Sequence, residues 1–407
     1  MNKFPRSAYV HIPFCHRRCF YCDFAVIPLG NKIEALNGYG SKTVREYLIY
    51  LYKEILSIKH KAPLSTIYLG GGTPSILDPQ QIKVLINLFR ENYGIDYGAE
   101  ITMEVDPASF NQDDLYGFIN AGINRFSLGA QSFNNQILKK AGRRHLNTDV
   151  EKSCVWLNKA YNSGLIKSWS LDLIQNLPLS GFSEWQEDLK KTINFSPPHI
   201  SIYDLNIEDG TVFKKLVDLG KLSLPNDDES FKNSESTNIL LKGSGYSRYE
   251  ISNYCLPGHQ SRHNRVYWSG LGWWGFGQGS TSSPWGEKLT RPRVSKKYKE
   301  WVNNQCNKNL DSKIINKDYS YKELDEKIML GMRLKEGVNI HKLFKEQNWD
   351  QKKYQINFEK LLKEWESFLE SGLLKKSGNR FFLSDPKGME LSNQILISMF
   401  QWWNKIN

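Results

Sequence analysis

The stretch Ser7-Ala-Tyr-Val-His-Ile-Pro-Phe-Cys-His-Arg-Arg-Cys-Phe-Tyr-Cys-Asp-Phe24 decides the fold of this chain. Cys15, Cys19 and Cys22 follow one another with the spacing C-x3-C-x2-C. The β-branched and aromatic run directly before them, residues 8–12, predicts a strand. Three thiols this close cannot all pair as disulfides, but together they can ligate one polynuclear metal centre. The stretch therefore predicts a metal centre on the loop that follows the first strand.

Two kinds of metal centre are compatible with this loop. A tetrahedral structural zinc needs a fourth ligand, which His11 or His16 could supply. However, no second pair of cysteine or histidine ligands follows at zinc-finger spacing. Iron–sulfur clusters usually take four cysteines, so three cysteines leave one iron of a [4Fe-4S] cluster open to another ligand. The spacing favours the cluster, and zinc is kept as the alternative.

Length and composition predict a globular protein. The 407 residues can form one large α/β domain and a smaller one. Hydrophobic residues make up 40% and charged residues 24%, close to the globular average. No apolar run approaches the ~18 residues of a spanning helix, and residues 1–6 lack the apolar stretch of a secretory signal. Six cysteines in so long a chain are no disulfide framework, so we expect a cytoplasmic protein.

The formal net charge of +11 raises the question of an anionic partner. A basic surface can attract nucleic acid or an anionic membrane. The lysines and arginines are spread along the chain, without a polybasic tract or an aromatic RNA-binding signature. We therefore predict no nucleic-acid partner and at most peripheral membrane contact. A zinc- or nucleic-acid-binding protein stays a distant alternative.

Strand-like and helix-like segments alternate from residue 7 to about residue 207. The predicted strands are residues 8–12, 66–69, 100–105, 125–129, 168–174 and 199–203, and the predicted helices are residues 41–61, 79–92, 112–120, 135–140, 148–163 and 184–194. Six strands alternating with helices predict an α/β fold with a parallel sheet and right-handed crossovers, that is, a barrel or an open part of one.

Polar and glycine residues follow several of these strands. In such barrels the ligand-binding residues lie at the C-terminal ends of the strands, where this chain has the triglycine 70–72, Glu104, Gln131 and Asp172. Glycine lets a ligand approach the backbone closely, although a plain turn would also explain the triglycine. A carboxylate inside an apolar strand needs a partner. For Glu104 and Asp172 the alternative to a ligand is an ion pair with Arg125 or Arg143.

The pattern changes from residue 208 to about residue 293. A helix is predicted at residues 228–243 and a strand at residues 245–251. The following stretch, residues 263–279, is dense in aromatic residues and glycine. So much aromatic area suits a wall of a flat apolar ligand site, while the alternative is a packing lid. We predict that residues 208–293 close the open side of the barrel.

A separate C-terminal module is predicted after a linker. The linker, residues 294–320, is rich in Lys, Asn and Asp. Helices at residues 324–334 and 358–371 and a strand at residues 380–383 favour a winged-helix-like α+β module over residues 321–407, which we expect to be a packing domain rather than a DNA reader. Cys154, Cys255 and Cys306 are isolated, and we expect ordinary buried thiols.

These residues together resemble the oxygen-independent coproporphyrinogen III oxidase-like family of the radical S-adenosylmethionine (SAM) superfamily. The motifs that carry the resemblance are Tyr-Val-His-Ile-Pro-Phe-Cys15, Gly-Gly-Gly-Thr-Pro74, Glu-Val-Asp-Pro107, Leu-Gly-Ala-Gln-Ser-Phe133, Asp-Leu-Ile174 and His-Asn-Arg-Val-Tyr-Trp268. The branch that matches is that of the haem chaperones. The oxidases carry a fourth cysteine where this chain has Phe24, and they have a long N-terminal extension where this chain has only fourteen residues before Cys15.

The resemblance implies a fold, cofactors and site residues. The fold would be a radical SAM partial (β/α)6 barrel with a C-terminal α+β module. Cys15, Cys19 and Cys22 would hold a [4Fe-4S] cluster whose open iron binds SAM. The residues implied for SAM are Tyr9, Tyr21, Gly71, Gly72, Thr73, Glu104, Gln131, Arg143 and Asp172, and those implied for haem are His263, Asn264, Tyr267 and Trp268.

The resemblance also implies a function in porphyrin metabolism. The protein would bind haem and deliver it to an acceptor protein, with an electron donor for the cluster. The alternative is an oxygen-independent coproporphyrinogen III oxidase, which decarboxylates its substrate by radical chemistry to protoporphyrinogen IX. Two positions depart from the family pattern. Asn176 replaces the usual glycine of the Asp-Leu-Ile-x-Gly-Leu-Pro run, and residues 277–281 lack the expected Gly-Ala-His.

Overall fold

The computed structural model describes residues 4–30, 42–58, 61–306 and 323–406. The α-helices are α1 (Lys42–Ser57), α2 (Pro79–Asn92), α3 (Gln112–Asn120), α4 (Asn135–Lys140), α5 (Asn147–Asn162), α6 (Phe182–Phe195), α7 (Val212–Asp218), α8 (Asp227–Gly243), α9 (Arg262–Trp268), α10 (Ser295–Cys306), α11 (Leu324–Met332), α12 (Ile340–Lys345), α13 (Gln351–Glu370), α14 (Lys387–Glu390) and α15 (Ser392–Ile406). A short 3-10 helix spans Pro74–Ile76.

In the described residues, the strands build one large sheet and three small ones. They are β1 (Ser7–Ile12), β2 (Phe14–Cys15), β3 (Ile27–Pro28), β4 (Leu64–Gly71), β5 (Ile95–Val105), β6 (Arg125–Gln131), β7 (Ser168–Gln175), β8 (His199–Asp204), β9 (Ser247–Arg248), β10 (Asn253–Cys255), β11 (Trp274–Phe276), β12 (Thr281–Ser282), β13 (Leu289–Thr290), β14 (Val338–Asn339), β15 (Leu374–Ser377) and β16 (Arg380–Leu383). The large sheet has the order β11-β1-β4-β5-β6-β7-β8-β10-β9.

The large sheet confirms the predicted α/β fold. The strands β1, β4, β5, β6, β7 and β8 pair in parallel, in the order in which they follow along the chain. Alternate residues of each strand face opposite sides of the sheet, so Val10, Leu69 and Leu128 are fully buried under the helices. The residues between them face the inside of the partial barrel. All six strands end at the same edge, where their polar residues meet.

The helices pack on the outer face because their apolar residues recur at helical spacing. In α1, Val44, Leu48, Leu51 and Ile55 are buried, as the periodicity of the sequence predicts. The predicted helix also included residues 41 and 59–60, which lie outside the described residues. Helix α2 begins after Asp78, whose side chain accepts a hydrogen bond from the Gln80 amide at 2.5 Å.

The aromatic stretch extends the large sheet beyond β1, and β11 is an edge strand of that sheet. Closure of the barrel by residues 208–293 stays a prediction. Residues 263–268 belong to the helix α9, which contacts β4. Residues 274–276 form β11, which pairs in parallel with β1. The predicted strand at residues 245–251 is wrong for most of its length, since only Ser247 and Arg248 form a strand there. The antiparallel strand β10 follows instead and pairs with the far edge of the sheet at β8.

The predicted linker begins with a helix. Residues 295–306 form α10, which packs against α1 with Tyr298 and Val302 buried. Tyr298 donates to Glu54 at 2.7 Å, and the same carboxylate pairs with Arg291 at 2.7 Å. These buried bonds connect α10 and Arg291 to α1. The rest of the predicted linker, residues 307–320, lies outside the described residues.

The C-terminal residues have a core of their own. The sheet β14-β16-β15 packs with α11, α13 and α15 around buried residues that include Phe344, Trp365 and Trp402. Arg248 connects this module to the barrel by donating to Glu390 at 2.9 Å and to Asp385 at 3.3 Å. Within the described ranges, no helix is long and apolar enough to cross a membrane.

Candidate functional site

A cavity of about 390 Å³ opens where the six parallel strands end. Its lining comes from the loop after β1 and from the C-terminal ends of β4 to β8. The lining includes Cys15, Cys19, Tyr21, Cys22, Gly71, Gly72, Thr73, Glu104, Asp106, Gln131, Arg143, Asp172, Tyr203 and Asp204. The structure therefore brings together the three cysteines and all but one of the residues implied for SAM.

The three cysteines are free thiols on one side of this cavity, and each is partly buried. The loop that carries them is held by backbone bonds, among them Phe20 N–H to Ala141 O at 3.1 Å. Burial raises the pKa of the Cys15 thiol to about 12 and also raises that of Cys22. Both thiols therefore stay protonated unless a cation compensates the thiolate charge. Among the described residues, no three His, Cys, Asp or Glu side chains form a group that could hold a metal ion.

The triglycine is required by contacts inside the protein. A Cβ atom on Gly71 would lie within 2.5 Å of His11 ring atoms, and a Cβ on Gly72 would lie 2.6 Å from the carbonyl oxygen of Phe14. Gly71 also has φ +110°, which side chains rarely adopt. Close packing against β1 thus explains these glycines, which line the cavity at the same time.

The two strand carboxylates are held by hydroxyl and amide donors. Glu104 accepts from the Tyr68 hydroxyl at 2.9 Å and from the Gly71 amide at 3.0 Å. Asp172 accepts from the hydroxyls of Ser127 at 2.6 Å and Ser170 at 2.7 Å. Neither carboxylate forms a salt bridge to an arginine within the part of the chain that the structure describes, so the ion pairs considered as an alternative are wrong.

Burial raises the pKa of Glu104 to about 7, although its two hydrogen bonds act against the shift. A carboxyl whose pKa is raised on folding contributes stability below its unfolded pKa of ~4.3, and that contribution is lost as the pH rises through the folded value. We expect Glu104→Gln to reduce the decline in stability of the metal-free protein between pH 5 and pH 8, by ~2–3 kcal/mol. Urea unfolding at several pH values measures this.

Glu91→Gln is the matched control for that experiment, because Glu91 is exposed on α2. It should leave the pH dependence of stability unchanged. A Glu104→Gln profile that is parallel to the parent profile would contradict the prediction.

Arg143 is the centre of a hydrogen-bond network at the cavity wall. Its guanidinium donates to Asp106 at 2.7 Å and to the Gly129 carbonyl at 2.9 Å. It also lies 3.5 Å from the Cys19 sulfur and 3.4 Å from the Tyr21 hydroxyl. Burial alone would raise the pKa of Asp106, but Arg143 and His145 hold it well below its usual range. Arg143 therefore has a protein carboxylate as its partner.

Two residues at or near this wall, Gln131 and Asn176, have a positive φ. Gln131 has φ +67° at a bulge in the pairing of β6 with β7, and its side chain faces the cavity. Asn176, the departure from the family glycine, has φ +65°. Asparagine tolerates this left-handed conformation better than most residues. Its side chain also donates to Asp204 at 2.6 Å.

The four residues implied for haem lie away from this cavity. His263 is buried, with Nδ1 2.8 Å from the Thr66 hydroxyl and Nε2 2.9 Å from the Tyr267 hydroxyl. Burial, with a smaller effect of Arg125, lowers the pKa of His263 to about 3, so the ring is neutral. Trp268 packs under the guanidinium of Arg333.

A second cavity of about 350 Å³ lies beside α9 and the β11 edge. Of the residues implied for haem, Tyr267 lines it. Tyr9, implied for SAM, also lines this cavity and not the first one, and its hydroxyl lies 3.0 Å from His11 Nδ1. Gly279, Ser280 and Thr281, from the stretch that lacks Gly-Ala-His, form part of its wall.

Asp106 and His145 were missed in the sequence. Asp106 stands in the quoted Glu-Val-Asp-Pro107 motif, directly after β5, and His145 stands two residues after Arg143. The position of Asp106 after a strand was a usable signal. No sequence pattern indicates that His145 turns inward, because that depends on the bend between α4 and α5.

Comparison with known proteins places this site in context. Residues 9–171 match the family model described as the radical SAM superfamily. A haem chaperone HemW from Synechocystis sp. is 37% identical, with 97% of this chain and 96% of that protein covered. HemW from Lactococcus lactis is 33% identical over 96% of each chain, and HemW from Escherichia coli is 34% identical over 68% of this chain and 69% of its own.

A solved structure has the same fold. The coproporphyrinogen III oxidase HemN from Escherichia coli, which its title describes as a radical SAM enzyme, superposes with a TM-score of 0.76. The match covers 97% of this chain and 90% of that chain at 24% identity. The fold, including the arrangement of barrel and C-terminal module, is therefore that of a radical SAM protein.

Proposed function

The chain belongs to the haem chaperone HemW family of the radical SAM superfamily, and from this premise we propose that it binds haem and passes it to an acceptor protein. The observation that carries the proposal is the similarity to these chaperones over nearly the whole chain, C-terminal module included. The superfamily also implies a [4Fe-4S] cluster and SAM. We propose that an electron donor reduces this cluster.

The residues of the first cavity fit a cluster. Cys15, Cys19 and Cys22 are free and surround a space that adjoins the strand ends. Each cysteine of such a cluster binds a different iron atom, so the thiols need not converge on one point. The Nε atom of Arg143 is buried there without an acceptor among the described residues, which leaves a donor for an anionic group. Thr73 donates to the Cys15 sulfur at 3.7 Å.

The same cavity offers the groups that SAM requires. SAM carries a cationic amino group, a carboxylate and ribose hydroxyls, and the cluster supplies an open iron when bound. Glu104 and Asp172 present acceptors to an amino group or hydroxyls. Gln131 presents an amide, and the exposed edges of Gly72 and Thr73 border the space. Charge-assisted bonds of this kind contribute ~1.5–3 kcal/mol each. We propose Tyr21 as a border of the same site.

Haem is proposed to bind at the second cavity. Tyr267 and Trp273 form one wall, with ring centroids 4.8 Å apart, and Phe24 and Tyr9 add aromatic area. Arg293 also lines this cavity, 4.0 Å from Asp23 and with 59% of its side chain exposed. A propionate would compete with Asp23 for this cation. His263, Asn264 and Trp268 would then act from behind this wall, since His263 holds the Tyr267 hydroxyl. Haem is cargo in this proposal and not a resident cofactor.

Oxygen-independent decarboxylation of coproporphyrinogen is the second candidate function. The fold shared with the oxidase favours it. However, the family resemblance implies a fourth cysteine for the oxidases at the position of Phe24, which is largely exposed here. A 5′-deoxyadenosyl radical needs a site closed to water. We therefore favour transport of haem over decarboxylation as the function. Separately, the absence of a nucleic-acid partner stays a prediction.

One anaerobic experiment separates the two functions. The reconstituted protein is titrated with haem and followed by its Soret absorption, and in parallel it is incubated with reductant, SAM and coproporphyrinogen III. We expect saturation at about one haem per chain and no multiple-turnover formation of protoporphyrinogen. The control is Tyr97→Ala, which removes a fully exposed ring far from both cavities. Sustained decarboxylation without saturable haem binding would replace the chaperone by the oxidase.

A further inference from the structure

The guanidinium of Arg143 lies directly against the loop that carries the cysteines. One terminal nitrogen, Nη1, donates toward the Cys19 sulfur at 3.5 Å and the Tyr21 hydroxyl at 3.4 Å. The other, Nη2, donates to Asp106 Oδ2 at 2.7 Å and to the Gly129 carbonyl at 2.9 Å. One edge of the guanidinium therefore points to the Cys19 sulfur, while Nη2 is bonded to Asp106 and Gly129 of the barrel.

His145 completes the anchor. Its side chain is fully buried, and Nε2 lies 3.0 Å from the carbonyl oxygen of Ala130. A carbonyl oxygen can only accept, so Nε2 carries the proton. Nδ1 lies 3.4 Å from Arg143 Nη2 and 3.7 Å from Asp106 Oδ2, so the ring packs directly against this ion pair. The carboxylate that follows β5 and a carbonyl oxygen of β6 thus accept from one nitrogen atom of the guanidinium, and the His145 ring lies against this pair.

The anchor occupies one of the two terminal nitrogen atoms of Arg143. Asp106 and Gly129 accept from Nη2, which carries only two hydrogens, so this nitrogen has none left for a bond to the carboxylate of SAM. Nη1 and Nε remain, and both lie on the side of the cysteine loop or in the buried space beside it. The geometry suits a cation that acts on the sulfur ligands of a cluster.

We propose that Asp106 and His145 are positioning residues that hold Arg143 against Cys19, and that Arg143 thereby raises the reduction potential of the cluster. The inference rests on the cluster of the proposed function. Reduction adds one negative charge to the cluster. Hydrogen bonds to ligand sulfur and nearby positive charge stabilise that charge, and they are among the features that set cluster potentials. In a buried site these effects are screened less than at the surface.

Mutation of Asp106 distinguishes a positioning role from a purely electrostatic one. The two roles predict shifts of opposite sign in the reduction potential of the cluster. If Asp106 acted only through its negative charge, Asp106→Ala would raise the potential of the cluster. If Asp106 positions Arg143, Asp106→Ala lets the guanidinium move away from Cys19, and the potential falls. Asp106→Asn keeps an acceptor oxygen for Nη2 and should hold the potential at or above that of the parent protein.

The test is an EPR-monitored redox titration of the full-length, anaerobically reconstituted protein without SAM. We expect Arg143→Met, Asp106→Ala and His145→Phe each to lower the ratio of reduced to oxidised cluster about tenfold at a fixed potential, which corresponds to ~59 mV for one electron. The control is His259→Phe, which removes a histidine bonded to Tyr161 and Ser168, outside the cysteine loop. It should leave the midpoint unchanged.

The outcomes distinguish this inference from the proposed function. An unchanged midpoint in Arg143→Met, or a raised midpoint in Asp106→Ala, overturns the inference while haem binding by the parent protein stands. If Arg143→Met does not retain the cluster, Arg143→Lys decides. Lysine keeps the charge but cannot bridge Asp106 and Cys19 together, so a midpoint equal to the parent value overturns the inference and a lower one supports it. A parent protein that holds no cluster contradicts both.

Discussion

Cys19→Ser should leave the protein without a [4Fe-4S] cluster. Cys19 lies in the middle of the loop, and its sulfur is the one that faces Arg143. The serine hydroxyl is a far weaker acid than a thiol and a harder ligand, so it replaces thiolate poorly at iron. Two cysteines would remain, one fewer than the three that leave a single iron open. The expected result is a loss of nearly all bound iron, sulfide and visible absorption after anaerobic reconstitution.

Cys154→Ser is the matched control for this experiment. Cys154 is a buried free thiol on α5, away from the loop. The control should keep about four iron and four sulfide per chain, as one cubane requires. A Cys19→Ser protein that retains the cluster would remove Cys19 from the ligands. Stoichiometric zinc without labile sulfide in the parent protein would favour the zinc alternative.

Gly71→Ala should destabilise the protein by several kcal/mol and disrupt the cavity. The new methyl group would lie 2.4 Å from the buried His11 ring, which is held by the Tyr9 hydroxyl and the Ala25 carbonyl and cannot easily move. The backbone φ of +110° adds ~1–2 kcal/mol of strain for any residue with a Cβ. Because the Gly71 amide also donates to Glu104, any shift of this segment weakens that bond. Urea unfolding and SAM affinity measure the two effects.

Substitutions at two other glycines measure the backbone strain and the steric clash separately. Gly98 has φ +77° and nothing within 4 Å of a new Cβ, so Gly98→Ala should show the backbone strain alone, ~1 kcal/mol. Gly72 has no positive φ, but its Cβ would meet backbone atoms of residues 12–14 within 3 Å, so Gly72→Ala should show the clash alone. If Gly71→Ala costs no more than Gly98→Ala, contact with His11 is not what requires the glycine.

The alternation of strands and helices could be predicted because each signal is local. Apolar residues at helical spacing identified α1, and a β-branched and aromatic run identified β1, with errors of only a few residues at their ends. The clustering of the candidate ligand-binding residues at the strand ends also followed from the sequence, because parallel strands end at the same edge of the sheet. The resemblance to radical SAM proteins added the ligands implied for the loop.

The segment from residue 208 to residue 306 was predicted less well. No secondary structure was predicted for the aromatic stretch, yet it forms α9 and β11, and the expected linker begins with α10. These elements owe their stability to tertiary contacts, such as the pairing of β11 with β1 and the bonds from Tyr298 and Arg291 to Glu54. Local sequence carries little information about such contacts, since the partners are more than 200 residues apart.

By itself, the sequence determined the parallel α/β barrel, the three-cysteine loop and the strand-end positions of Glu104, Gln131 and Asp172, because periodicity and spacing act over a few residues. Only the tertiary structure decided which groups satisfy one another. It placed Arg143 between Asp106 and Cys19. It brought the Tyr68 hydroxyl and the Gly71 amide to Glu104 as donors. It also buried His263 against the Thr66 hydroxyl. The reason is that a buried polar group must find a hydrogen-bond partner wherever the fold places one, and that place is set by the packing of the whole chain.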